Sequence, residues 1–169
     1  MTNLFLNAAV FVIALVGMEG VAWLTHRYVM HGALWTLHES HHQPRTGAFE
    51  RNDLFGLAFS GLAISLFYLG THPGWTPAWW AGLGMTSYGV LYALVHDGLV
   101  HRRWHLPLRA ENGYLKLLVQ AHRLHHATRT KVGAVSFGFL IPGNVRRLSM
   151  DLRSRRRIGR RRGTNPGGT

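Results

Sequence analysis

Residues Leu4–Leu24, LFLNAAVFVIALVGMEGVAWL, decide the fold class: 21 residues with one charge among them, Glu19. As a helix the run is about 31 Å long, the thickness of a hydrocarbon core. A secretory signal would carry basic residues before such a run and a small-residue cleavage site after it. The start Met1-Thr2-Asn3 lacks the charge, so the run is expected to span a membrane. Glu19 is costly to place in lipid, and it either has a functional or pairing role or lies near the headgroups beside Arg27. Working outward, Leu54–Gly70 adds 17 residues without a charge, and Trp79–Val95 reads as a third crossing. The turn from Thr71 to Pro77 holds two prolines and a glycine, and Trp75, Trp79 and Trp80 fall where an interfacial aromatic belt is expected. Gly82, Gly84, Ser87 and Gly89 either let helices approach closely or leave a groove for a flat hydrocarbon.

The chain has 169 residues, one domain by size, with 47% hydrophobic and only 15% charged residues, a balance suited to a membrane protein. It has no cysteine, which excludes disulfides, thiolate zinc sites and iron–sulfur clusters. The net charge of +12 is concentrated at the end, where nine arginines and one aspartate lie from Arg146 onward. No nucleic-acid motif accompanies them, and anionic lipid headgroups are the expected partner. None of the 19 basic residues falls in 1–25 or 52–101. The positive-inside rule then puts the amino terminus outside and the segments after the first and third crossings in the cytoplasm, together with the carboxyl terminus. The expected architecture is an all-α integral membrane bundle whose spanning helices extend into a cytoplasmic histidine-rich cap. That domain covers 1–148, and a basic tail, 149–169, is expected to be disordered until it meets headgroups.

Just beyond the first crossing stand His26 and His31, then His38-Glu39-Ser40-His41-His42; beyond the third stand His96 and His101, then His122-Arg123-Leu124-His125-His126. Ten of the twelve histidines thus form two matching sets of five. On an α-helix the three imidazoles of each His-x-x-His-His triplet lean toward one point, which reads as two metal ions or one binuclear centre. His26 and His31, about 140° apart on a continuous α-helix, are expected to flank the metals rather than share one stripe. His72 and His105 fit neither set. Residues Gln43–Gly47 break the helix, and 48–53 read as a polar surface connection. Gly113–His126 reads as amphipathic. The apolar run Val132–Ile141 is too short to span and is re-entrant, interfacial or packed beneath the histidines. Asp97 either orients the His96 ring or is a plain surface carboxylate.

Zinc hydrolysis needs about three ligands and a base, transporters set their ligands inside the spans, and membrane cytochromes need one or two histidines per haem. A binuclear iron centre that activates dioxygen for a lipid's unactivated C–H bond fits ten neutral imidazoles at a membrane face better.

The histidine pattern, with Gly47-Ala48-Phe49-Glu50, Asn52-Asp53-Leu54, Val95-His96-Asp97-Gly98-Leu99-Val100-His101 and Val135-Ser136-Phe137-Gly138-Phe139-Leu140, resembles the bacterial β-carotene 3-hydroxylases of the membrane fatty acid hydroxylase superfamily. The resemblance spans roughly residues 10 to 145. It implies two non-haem Fe ions held by His26, His31, His38, His41, His42, His96, His101, His122, His125 and His126. It further implies O2 as co-substrate, β-carotene taken from the bilayer of a bacterial inner membrane and converted through β-cryptoxanthin to zeaxanthin, and electrons from reduced ferredoxin and its reductase. A fatty acyl or sterol hydroxylase, a carotenoid ketolase and a non-catalytic metal-binding protein are the alternatives.

Overall fold

A computed structural model describes residues 2–45 and 47–163. Thr46 and the last residues of the tail, 164–169, lie outside them. The described residues are helical, without strands: α1 (Thr2–Leu24), α2 (Trp35–His38), α3 (Asp53–Gly70), α4 (Thr76–Tyr92), α5 (Gly113–His126) and α6 (Val145–Gly163). Two π-helical segments, Thr25–Ala33 after α1 and Ala93–Val100 after α4, carry the chain on from the apolar helices.

Two helical stretches are long and apolar enough to cross a membrane, Asn3–Ala33 and Asp53–Gly70. The third expected crossing is helical but less apolar, because α4 spends its positions on glycine, threonine, serine and tyrosine. The reason is packing. α4 is the middle helix, with α1 on one side and α3 on the other. A Cβ on Gly84 would stand 2.6 Å from the Phe11 carbonyl oxygen of α1, so only glycine permits that approach. Gly89 has nothing within 4 Å of its would-be Cβ and faces an open groove. Close helix approach and an open groove therefore both occur, at different small residues.

Glu19 pairs. Its Oε2 accepts from the Tyr88 hydroxyl at 2.7 Å, and its Oε1 accepts the backbone N–H groups of Phe139, Leu140 and Ile141 at 2.9, 3.1 and 3.0 Å. One carboxylate thus ties α1, α4 and the 132–141 segment together. Of the three readings for that segment, packing beneath the histidines is the one realised: it has no regular structure, and Ala134, Val135, Phe137 and Phe139 are buried.

Two local expectations are corrected. The chain from His26 to His31 is not a continuous α-helix but a π-helical segment interrupted at Gly32. The first triplet lies on a single α turn, α2, followed by a 3-10 turn, Glu39–His42, rather than on one α-helix. The tail is described as helical as far as Gly163. Leu152 is buried, Arg155 donates to the Ala134 carbonyl at 2.8 Å and Arg156 to that of Ala127.

Replacing Glu19 with Ala leaves three backbone donors and a tyrosine hydroxyl without an acceptor, at about 1–3 kcal/mol for each buried donor. The expected outcome is a clearly lowered thermal midpoint in detergent together with faster hydrogen exchange at Phe139–Ile141.

Candidate metal centre

The two His-x4-His pairs owe their geometry to the π turns. In the second, the His101 N–H donates to the His96 carbonyl at 2.9 Å, an i→i+5 bond. A turn of that width stacks residues five apart, where an α-helix would separate them by about 140°. His26 and His31 are thereby brought to the same site, with ring centroids 5.3 Å apart, rather than to opposite sides of it. Arg102, at φ 51°, ends the second segment in the left-handed region. The Arg103 N–H then closes onto the Asp97 carbonyl at 2.8 Å.

All ten histidines converge, but not in the two sets that chain order implies. His26, His31, His38, His42 and His125 form one group, and His41, His96, His101 and His122 the other; within each, one ring nitrogen per residue lies within 4.8 Å of the rest. His41 and His125, the middle members of the triplets, have changed places. Neighbours on a helical turn point in different directions, and the triplets sit between the groups, so each serves both. The His126 ring lies 4.5 Å from that of His42 and 4.5 Å from that of His122, at the junction of the groups. Its Nε2 is buried without a hydrogen-bond partner. His72, bonded to the Tyr68 carbonyl, and His105 are exposed and outside both groups.

The outer nitrogens explain the inner ones. In the first group His26, His31, His42 and His125 donate Nδ1–H to the backbone carbonyls of Phe137, Lys131, Thr128 and Val135 at 2.9, 3.0, 2.8 and 3.1 Å. His38 donates to Asn52 Oδ1 at 2.7 Å. In the second, His41 donates to Glu50 at 2.9 Å and His96 to Asp97 at 2.7 Å. A neutral imidazole whose Nδ1 bears the proton presents only a lone pair at Nε2. Yet Nε2 of His26 stands 3.2 Å from that of His38, and His31 and His125 meet likewise at 3.2 Å. His41 and His96 meet at 3.1 Å. These are not hydrogen bonds, because neither nitrogen has a proton to give. Lone pairs so placed call for a cation between them, and the residues present fit metal ions bound by neutral nitrogen.

The rings are held neutral. Burial lowers His38 to about 3, His42 and His101 to about 4 and His126 to about 2. Burial also raises Asp97 to about 6, against the pull of Arg103 at 3.8 Å. Arg103 grips Asp53 with both guanidinium nitrogens at 2.7 Å, which anchors the carboxylate layer to the start of α3.

The expectation that 48–53 is a plain surface connection is overturned, since it supplies Glu50 and buried Asn52 to the histidine rings. Their polarity hid that role; the signal for it was their place in stretches resembling the hydroxylases.

An apolar cavity of about 550 Å³ opens among α1, α3 and α4, within the range of ligand sites. Met18, Phe59 and Met85 line it, and it ends at Tyr92, Asp97 and Phe139 under the histidines. A smaller cavity of about 340 Å³ reaches His101, His122 and His126 from the other side, past Arg123 and Arg129.

Residues 11–143 match the family described as Fatty acid hydroxylase. This chain belongs to that family. It is 51% identical over 152 residues to the "Beta-carotene hydroxylase" of Pseudescherichia vulneris, covering 90% of this chain and 86% of the relative. It is 52% identical over 149 residues to that of Pantoea ananas, covering 88% and 85%. A plant relative, "Beta-carotene 3-hydroxylase 2, chloroplastic" of Arabidopsis thaliana, is 42% identical over 94% of this chain and 53% of its own length. No solved structure matches significantly. Family and apolar helices together make this hydroxylase a membrane protein, and its chemistry that of a hydroxylating oxidoreductase.

Two outcomes test the centre. Unfolded histidines titrate near 6.5 while the folded ones stay neutral, so below that pH the unfolded chain binds more protons and stability falls. Each such group contributes about 1.4 kcal/mol per pH unit. Metal-free protein should be most stable above pH 6.5 and unfold progressively between about 6 and 4, which a thermal-shift series against pH will read. Asn52→Leu removes the acceptor on His38, and metal affinity measured by chelator competition should fall about 10- to 100-fold.

Proposed function

We infer that this chain is a non-haem diiron carotenoid hydroxylase, acting at C3 of the β-ionone rings of β-carotene and giving zeaxanthin by way of β-cryptoxanthin. The observation that carries the reading is the set of inward-facing Nε2 lone pairs, 3.1 to 3.2 Å apart in two adjoining histidine groups, above an apolar cavity. The names of the relatives supply the substrate class and the ring position.

His26, His31, His38, His42 and His125 would hold one iron, and His41, His96, His101 and His122 the other, with the His126 ring at the junction of the two groups. Iron supplies the redox change that activation of dioxygen toward a C–H bond requires, which zinc cannot. Each hydroxylation consumes one O2, two electrons and two protons, replaces C–H by C–OH and releases one water. The chain's own part is positional. The backbone carbonyls of 128–137 and the side chains of Glu50, Asn52 and Asp97 fix the imidazoles, so little reorganisation accompanies reaction. The cavity takes the ring from the bilayer and keeps water away from it.

Electrons come from reduced ferredoxin and its reductase. Arg123 and Arg129, at the mouth of the smaller cavity, suit an acidic carrier. The distribution of basic residues favours three crossings of a bacterial inner membrane with both histidine groups and the carboxyl terminus in the cytoplasm. α6 then lies against anionic headgroups, with its exposed Arg153 and Arg157 toward the phosphates.

Expression in a host that accumulates β-carotene should yield zeaxanthin, read by pigment chromatography and mass. Unchanged β-carotene, or a ketone at the neighbouring carbon, would overturn the reading. His41→Ala and His125→Ala should each abolish product. Because they fall in different groups, each should also roughly halve the iron bound per chain.

A further inference from the structure

The loop that holds the histidine rings is itself gripped from two sides. Val135 and Phe137 present their carbonyls to the rings of His125 and His26, while Ala134 gives its own to the Arg155 guanidinium of α6. Between them Ser136 is held in the left-handed region, at φ 63°. Outside this loop, between it, the end of α1 and α6, lies a cavity of about 280 Å³ that contains no histidine and shares no lining residue with the apolar cavity. Arg27, Ser136, Asp151 and Arg155 line it. Among the described residues no ion pair joins Asp151 to either arginine. The Arg27 guanidinium rests 5.2 Å from the Phe137 ring centre and 5.5 Å from that of Trp23, contacts that use its face and leave its N–H edge free to point elsewhere. The depth of the cavity is set by α1. Arg27 stands within one turn of Leu24, the last residue of the apolar run, and so at the level of the headgroups. Trp23 and Ile141 line the apolar side, Ile141 being 68% exposed.

We propose that this cavity binds a phospholipid, with the phosphodiester between Arg27 and Arg155 and an ethanolamine ammonium turned to Asp151. A phosphodiester offers one negative charge and two unesterified oxygens, which suit a pair of guanidinium groups. Asp151 calls for a donor that also carries positive charge. An ethanolamine ammonium has N–H groups to give; a choline headgroup has the charge without the N–H. The acyl chains leave past Trp23 and Ile141 toward the bilayer, so free phosphate lacks their share of the contact. Lipid seated there braces the outer face of a loop whose carbonyls set the His26 and His125 rings, and its occupancy slows the loss of metal. The inference does not depend on which substrate the centre oxidises.

The test uses the full chain with its metal bound, stripped of lipid in neutral detergent. Phosphatidylethanolamine, phosphatidylcholine with the same acyl chains, and inorganic phosphate are added separately. Lipid per chain is counted by native mass spectrometry, and metal loss to a chelator is timed. The ethanolamine lipid should bind at one per chain, slow metal loss, and bind about tenfold or more tightly than the choline lipid, the worth of one charge-assisted hydrogen bond. Inorganic phosphate should not slow metal loss. Arg27→Gln and Arg155→Gln should each weaken binding of the ethanolamine lipid about tenfold or more. The change on adding lipid is read against each variant's own lipid-free state, so a general loss of stability does not register. Asp151→Asn keeps both arginines and should bind the two lipids about equally. Arg109→Gln, an exposed arginine outside the cavity, should bind as the unaltered protein does. Equal affinity of the unaltered protein for the two lipids, binding that survives both arginine substitutions, or protection by inorganic phosphate alone overturns the proposal.

Discussion

Seven hydrogen bonds from histidine Nδ1–H groups to oxygen acceptors are the constraint on which the rest of the structure depends. Each fixes a tautomer and a ring plane, and together they turn a set of basic, mobile side chains into a converging array of lone pairs. Nothing in that array satisfies itself. Without cations between them, nitrogens about 3 Å apart repel, so a cation bound there would be coupled to the folding of these segments, as in other sites whose ligands are assembled only in the native state. The acceptors differ between the groups. Backbone carbonyls and an asparagine serve the first, while two carboxylates serve the second. The imidazoles of His41 and His96 are accordingly the more electron-rich of the array.

That constraint dictates the shape of the chain around it. Four carbonyls within 128–137 have to face the histidines, which rules out a helix there, because a helix would spend those groups internally. A loop buried at the membrane face leaves its own N–H groups to be satisfied, and Glu19 meets three of them from inside α1. The charge in the first apolar run is thus an acceptor for a backbone that the metal centre has pulled out of regular structure. Tyr88 adds a fourth donor and brings α4 into register with α1. The same register sets the close approach at Gly84 and the open groove at Gly89, so the helix contact and the cavity come from one placement of α4.

The cavity and the histidines meet through Tyr92, Phe139 and the carboxylate of Asp97. The larger cavity is lined almost wholly by apolar side chains, with Asp97 at its inner end, while Arg123 and Arg129 line the smaller opening. The histidine groups are thus reached by two openings of different character, one apolar and one basic.

Much of this was legible along the chain. Apolar length alone marked α1 and α3, because burial of backbone in lipid leaves helix as the only open-chain solution. The repeated His-x-x-His-His spacing marked the ligand set, since imidazoles three and four apart share a helical face. What the chain order could not determine was partition: His41 joins His96, and His125 joins His31, because membership depends on which ring planes the surrounding acceptors fix. The π turns at His26 and His96 were equally hidden, as a five-residue spacing reads as misaligned until the turn widens. Glu50 and Asn52 looked like loop polarity, and the carbonyls of 128–137 carry no residue identity at all. Sequence determined which atoms can bind a cation and which segments can enter a membrane; only the tertiary structure decided which lone pairs face one another, because that depends on hydrogen bonds between segments up to 111 residues apart.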